Sequence, residues 1–171
     1  MLCPLPLCPS APPPATFRAM SPRPFIIEEY VRWSDVDMVG IIFYGSYVRF
    51  FELAETELFR AAGLPYSTLF ETFDIYLPRV QVHTEFHYPP RLDDHLKVAA
   101  YFGRIGNKSV TMNFDVIHLG TGRLSAHGHL VLVCTDRVEL KSRPLPAGLV
   151  ERLKPFALSV EEARTQLGLP R

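Results

Sequence analysis

The sequence predicts an α+β domain, an antiparallel β-sheet wrapped around one long central α-helix. Three observations carry that expectation: four long stretches with a two-residue apolar period, one long stretch with a helical period, and short turn signals between the strands. A sheet with one apolar face has to bury it. Residues 46–62 form the one helix large and apolar enough to cover it.

The first strand is expected over 25–33, "FIIEEYVRW", which is rich in β-branched and aromatic residues. The central helix follows, with Ser46 as its N-cap and Tyr47, Phe50, Phe51, Ala54, Leu58, Ala61 and Ala62 recurring at three- and four-residue spacing. Arg49, Glu52, Glu57 and Arg60 fall mostly on the other side. Gly63 and then Leu64-Pro65 end the helix. In "VQVHTEFHY", Val80, Val82, Thr84, Phe86 and Tyr88 alternate with Gln81, His83, Glu85 and His87, a strand with one buried face that stops at Pro89-Pro90. Leu96, Val98, Ala100 and Phe102 form the apolar side of the next strand. After the turn "RIGNKS", Val110, Met112, Phe114 and Val116 repeat the pattern. Gly120-Thr121-Gly122 makes another turn, and Leu124, Ala126, Gly128, Leu130 and Leu132 form the last long strand. Short turns join these strands into a meander. Residues 146–154 and 159–167 read as short surface helices, the second with a capping box between Ser159 and Glu162.

At 171 residues, 47% hydrophobic and 12% aromatic, the chain has material for one substantial core. Its 18 basic and 18 acidic residues are intermixed and cancel, so it carries no electrostatic footprint for nucleic acid or an anionic membrane surface. No uninterrupted apolar run approaches the roughly 18 residues of a membrane span. Residues 1–20, "MLCPLPLCPSAPPPATFRAM", are rich in proline and lack a basic n-region and a good signal-peptidase site, so they are expected to be disordered. Translation from Met20 is the alternative. Cys3 and Cys8 lie in this leader and Cys134 lies far away, which makes neither a disulfide framework nor a paired metal motif and fits a reducing cytoplasm. The expected layout is a leader over 1–20, a folded domain over 21–145, and short helices packed on it over 146–171.

The segment before the central helix carries the strongest signal. The order Asp35-Val-Asp-Met-Val-Gly-Ile-Ile-Phe-Tyr-Gly-Ser-Tyr-Val-Arg-Phe-Phe-Glu52 is followed by strands bearing "PRLDD", "GNKS" and "AHGHLVLVCTD". Together these resemble the 4-hydroxybenzoyl-CoA thioesterase-like branch of the hotdog-fold acyl-CoA thioesterases, over roughly residues 25–140. Asp-x-Asp-x-x-Gly alone is a weak motif; with the aromatic approach to the helix and the strand order it is fairly specific. The resemblance implies a cytoplasmic homodimer whose two sheets join edge to edge, often paired again into a homotetramer, with active sites along the subunit interface. It implies hydrolysis of an acyl or aroyl thioester to free acid and coenzyme A. Coenzyme A is then part of the substrate, and neither a cofactor nor a metal is called for.

Thioester hydrolysis needs an activated oxygen nucleophile and donors aimed at the developing oxyanion. A carboxylate beside a helix N-terminus meets both needs, because the first N–H groups of a helix have no intrahelical partner. By resemblance Asp37 is the catalytic carboxylate, as nucleophile or general base, and the N–H of Tyr44 is the carbonyl-polarising donor. Gly40 lets the chain turn, and Gly45 lets a thioester approach the backbone. An Asp before a helix is more often a cap or turn former, and Asp35 is read as orienting the loop. A related subgroup carries His where this chain has Gly45, so Asp37 acts here with backbone donors alone or with Glu52, which otherwise is a solvated helix residue. By position, Arg104, Lys108 and Ser109 in "RIGNKS" are candidates to contact coenzyme A, with Arg91 and Arg123 weaker. Tyr47 and Phe51, near Tyr44, are candidates for the acyl pocket. The pairs His83/His87 and His127/His129 each share a strand face, which is too few ligands per pair for a closed zinc site. Two other functions fit the same features: an enoyl-thioester hydratase, although no His closely follows Asp37, and a non-catalytic module that binds an acyl thioester or a protein.

Overall fold

A computed structural model describes residues 21–170, and the proline-rich leader with Cys3 and Cys8 lies outside the described residues. Strand β1 runs over Phe25–Tyr30 and a 3-10 turn follows over Trp33–Asp35. The strand is three residues shorter than the expected 25–33. Its end is set by the Asp35 carboxylate, which accepts the Arg32 N–H at 2.8 Å and turns the chain.

Helix α1 spans Tyr47–Ala61 and is led in by a 3-10 turn over Tyr44–Ser46. Ser46 holds the expected N-cap position, but it has helical dihedrals and its side chain makes no capping hydrogen bond. Gly63, at φ +71°, supplies the left-handed residue that stops the helix, as expected. A second helix, α2 over Tyr66–Phe73, was not legible in the sequence; its single buried residue, Leu69, leaves no period to read.

Strands β2 (Arg79–Phe86), β3 (His95–Ile105), β4 (Ser109–His118) and β5 (Arg123–Val133) complete one antiparallel sheet in the order β1-β3-β4-β5-β2. β3, β4 and β5 form the expected meander. β2 does not join β3 but crosses to the far edge and pairs with β5. That edge position overturns its expected buried face, since Val80, Val82 and Phe86 are all more than half exposed. Helices α3 (Ala147–Leu153) and α4 (Val160–Leu167) follow, the latter with the capping box between Ser159 and Glu162.

The core lies between α1 and one face of the sheet. Phe50, Phe51, Ala54 and Leu58 meet Val98, Phe102, Met112, Phe114 and Leu130, all buried, and the Phe51 and Phe114 rings stack at 4.6 Å. Gly128 makes room for this stack. A Cβ there would sit 2.6 Å from the Phe51 ring and 2.7 Å from the His83 carbonyl oxygen. On the opposite face α4 covers Tyr101, whose hydroxyl donates to the fully buried Asp115 at 2.9 Å; His127 and Arg164 also reach that carboxylate. Among the described residues no helix is long and apolar enough to cross a membrane.

Candidate active site

The chain between β1 and α1 is fastened at both ends. Asp35 is 2% exposed and takes two hydrogen bonds from the Arg49 guanidinium, one of them from Nε to Oδ1 at 2.8 Å. This bidentate pair ties the loop to the first turn of α1, where Arg49 also lies 4.2 Å over the Phe50 ring. The Phe43 N–H closes on the Asp35 carbonyl at 2.7 Å and the Ile42 N–H on Pro90 at 2.9 Å. Between those anchors lies a small hairpin. Asp37 N–H donates to Ile41, Gly40 N–H donates back to Asp37, and Gly40 adopts φ +76°, which a side chain would strain.

Asp37 stands at the head of that hairpin, exposed to solvent. Its Oδ1 accepts the Val39 N–H at 2.8 Å, which fixes the carboxylate, and its Oδ2 has no partner among the described residues. The carboxylate borders two hollows. One, of about 370 Å3, is lined by Asp37, Ile41, Tyr44, Tyr47, His87 and Tyr88 among others. The other, of about 510 Å3, is lined by Trp33, Val36, Asp37, Met38, Gly40 and Leu92.

The helix start faces the first hollow. Ser46 N–H already bonds to Phe43 at 2.9 Å, while the N–H groups of Tyr44 and Gly45 precede the first helical bond and have no acceptor among the described residues. Tyr44 with its free donor and the Asp37 carboxylate thus share one cavity, and the free donor of Gly45 is next in the chain. Tyr47, 3% exposed, forms its floor, and burial pushes its phenol up to about 12, so it stays protonated at neutral pH. The far wall comes from the end of β2. Phe86 packs on Tyr47 at 5.1 Å, and the N–H groups of His87 and Tyr88 both converge on Ser125, at 2.9 and 3.2 Å. The two bonds to one carbonyl end the regular ladder with β5 there.

The expected site residues are only partly brought together. Asp37, Tyr44 and Tyr47 line the cavity, and Gly45 carries one of the two free donors beside it. Phe51 does not line it: it is fully buried against Phe114 and belongs to the core, which corrects its expected place in the acyl pocket. Glu52 is exposed on α1 and outside the cavity lining. Arg104, Lys108 and Ser109 sit on the β3–β4 hairpin, at the end of β3 opposite the Asp37 loop, about 30 Å away for a strand of that length. Within one chain they do not meet Asp37. Sequence reasoning missed Ile41 and Ile42 and, from the far wall, Phe86, His87, Tyr88 and Pro89. The signal that could have found the far wall is Pro89-Pro90, where a strand has to break beside whatever follows it.

Residues 31–153, well over half the chain, match the Thioesterase-like superfamily. The chain belongs to that superfamily. It is a thioester hydrolase with the hotdog fold, as the motif order implied. Among its relatives is the acyl-CoA thioester hydrolase YbgC of Escherichia coli, 27% identical over 124 residues that cover 72% of this chain and 91% of YbgC. The structure of the gentisyl-coenzyme A thioesterase BH1999 is 26% identical, covers 73% of this chain and 98% of that one, and superposes with a TM-score of 0.65. The 1,4-dihydroxy-2-naphthoyl-CoA thioesterase of Synechocystis, at 20% identity, covers 76% of this chain and 95% of that one with a TM-score of 0.71, a likeness of fold.

Proposed function

We propose that the chain hydrolyses an acyl- or aroyl-CoA thioester to the free acid and coenzyme A, with Asp37 as the catalytic carboxylate and the N–H groups of Tyr44 and Gly45 as oxyanion donors. One observation carries the reading: a carboxylate with a free oxygen and Tyr44, whose N–H is unsatisfied, border the same cavity, with the free N–H of Gly45 next in the chain. The names of YbgC and of the gentisyl-coenzyme A thioesterase support the substrate class. Apolar and aromatic walls from Ile41, Tyr47, Phe86 and Tyr88 suit an acyl or aroyl group, and the second hollow beside Asp37 offers room for the pantetheine arm. The chemistry asks for water, a carboxylate and the two donors.

The phosphates of coenzyme A call for cations, and in this reading they come from a second copy. The free edge of β2 pairs with β2 of the partner about a two-fold axis. That antiparallel pairing carries the partner's Ser109 end of the sheet, with Arg104 and Lys108, to the Asp37 end of the first chain.

The test is thiol release from short, long and aromatic acyl-CoAs by wild type and Asp37→Asn. The variant should fold normally and lose about 10²- to 10⁴-fold in rate, the range for removing a positioned carboxylate. Undiminished turnover in Asp37→Asn would remove Asp37 from the mechanism and direct attention to Glu52.

A further inference from the structure

Five of the six histidines are committed elsewhere. His83 bonds Glu85 and stacks on His129, whose own Nε2 meets Gln81. His95 pairs with Glu28 and stacks on Tyr30; His118 pairs with Asp94 and holds Thr121; His127 is bound to the buried Asp115. His87 alone has an imidazole without a hydrogen bond, ion pair or ring contact among the described residues, and it acts on the chain only by a weak electrostatic pull on Glu85. It is also the one histidine that lines the Asp37 cavity.

The imidazole's surroundings are sparse in charge. Asp37 from the loop and Tyr44 and Tyr47 at the head of α1 line the same cavity; Tyr88 and Glu85 are near it on its own segment, and His83 and His127 share with it the surroundings of Glu85. Tyr47 stays a neutral phenol, so Asp37 is the carboxylate of this wall. An exposed imidazole and a carboxylate line the same cavity, and an imidazole can accept a proton from water and pass it on, which a carboxylate already bonded to an acyl carbon cannot do.

We propose that His87 is the general base of this hydrolysis, which makes Asp37 the nucleophile; the proposal rests on the thioesterase reading above. In the first step an Asp37 oxygen bonds to the acyl carbon and the C–S bond breaks, its electron pair leaving on sulfur. In the second step water bonds to the acyl carbon while His87 takes its proton. The acyl–Asp37 bond breaks, the carboxylate is restored, and the imidazolium gives its proton to the thiolate. The sum is thioester plus water to acid plus thiol.

The experiment is rapid-quench thiol release from benzoyl-CoA, a short and a long acyl-CoA by wild type, Asp37→Asn, His87→Gln and His87→Ala, with intact-mass analysis. His87→Gln should release about one thiol per site in a burst, then turn over about 10²-fold more slowly than wild type, with KM lowered alongside kcat because only the second step is slowed. An acyl adduct should appear on His87→Gln and be absent from Asp37→Asn, and free imidazole should restore turnover to His87→Ala. A steady rate for His87→Gln close to wild type, or a slow variant with neither burst nor adduct, would overturn the role of His87. If Asp37→Asn is dead in the same experiment, the thioesterase reading survives that failure. A wild-type chain that turns over no thioester overturns both.

Discussion

Asp35 and Asp37 are separated by one valine, yet the first is enclosed with every strong acceptor site occupied and the second keeps an oxygen free. The difference is one of position on the hairpin. Asp35 lies at its base, where Arg49 of α1 can reach inward, and Asp37 lies at its head, where only the Val39 N–H can. The hydrogen bonds that hold Asp37 in place therefore depend on the ion pair beneath it. Asp35→Ala leaves the Arg49 guanidinium half-buried and unpaired, and should lower folding stability by about 3 kcal/mol in urea titrations. Thiol release by the folded fraction should fall as well, because the hairpin loses the anchor at its base. A variant as active as wild type would show that Asp37 is positioned without it. The role proposed for Asp37 was approachable from the sequence because its motif is contiguous. That of His87 was not, because alternation along β2 does not say that the residues after Phe86 line the same cavity as a loop some fifty positions earlier.

At the scale of elements, one device that no spacing announced ties α1 to the sheet. Glu55, buried on α1, accepts from the Tyr66 hydroxyl of α2 at 2.6 Å and from Arg79 at the start of β2. Three residues separated by up to 24 positions make one polar knot, legible only once the elements are packed. Burial, then Glu55, pushes the Tyr66 phenol upward, so it remains a donor. Glu55→Ala should cost about 3 kcal/mol by leaving Arg79 and Tyr66 without their acceptor, whereas Glu55→Leu combined with Arg79→Met should recover most of it. Chemical denaturation of wild type, Glu55→Leu, Arg79→Met and the double variant closes the cycle, and simple additivity of the two changes would contradict the coupling. On the outer face, His129 is held below the ordinary imidazole value by burial and then by His83 and His127. A group that binds fewer protons folded than unfolded has no charging cost above its unfolded value near 6.5, and it destabilises the fold increasingly as pH falls from there through the lower folded value. The denaturation midpoint should drop between pH 7.5 and 5.5, and His129→Gln should flatten part of the drop; an unchanged slope would assign it to other groups. The four long strands, α1 and the α4 cap were readable because their periods are long. The crossing of β2 to the far edge was not, since alternation reports a face and says nothing about which neighbour a strand takes.

For the whole molecule, the exposed edge of β2 sets the decisive expectation. Val80, Val82 and Phe86 carry apolar surface that a single chain leaves uncovered, on a strand with one unpaired side. The side that is free follows from the ladder. His87 N–H bonds the Ser125 carbonyl, so in the same antiparallel register the odd positions His83 and Glu85 bond to β5. The even positions Val82 and Thr84 then present their N–H and C=O groups outward. Thr84→Pro removes one outward N–H and leaves the bonds to β5 in place, a substitution an edge strand accepts. If the β2 edges join two copies, this variant should elute as a folded monomer where wild type is a dimer, by light scattering coupled to size exclusion. It should also lose thiol release by at least about tenfold, because Arg104 and Lys108 of the second copy would no longer stand beside Asp37. A monomer with wild-type activity would confine the whole site to one chain. A dimer that survives the proline would move the interface off this edge, and with it the source of the cations that coenzyme A requires.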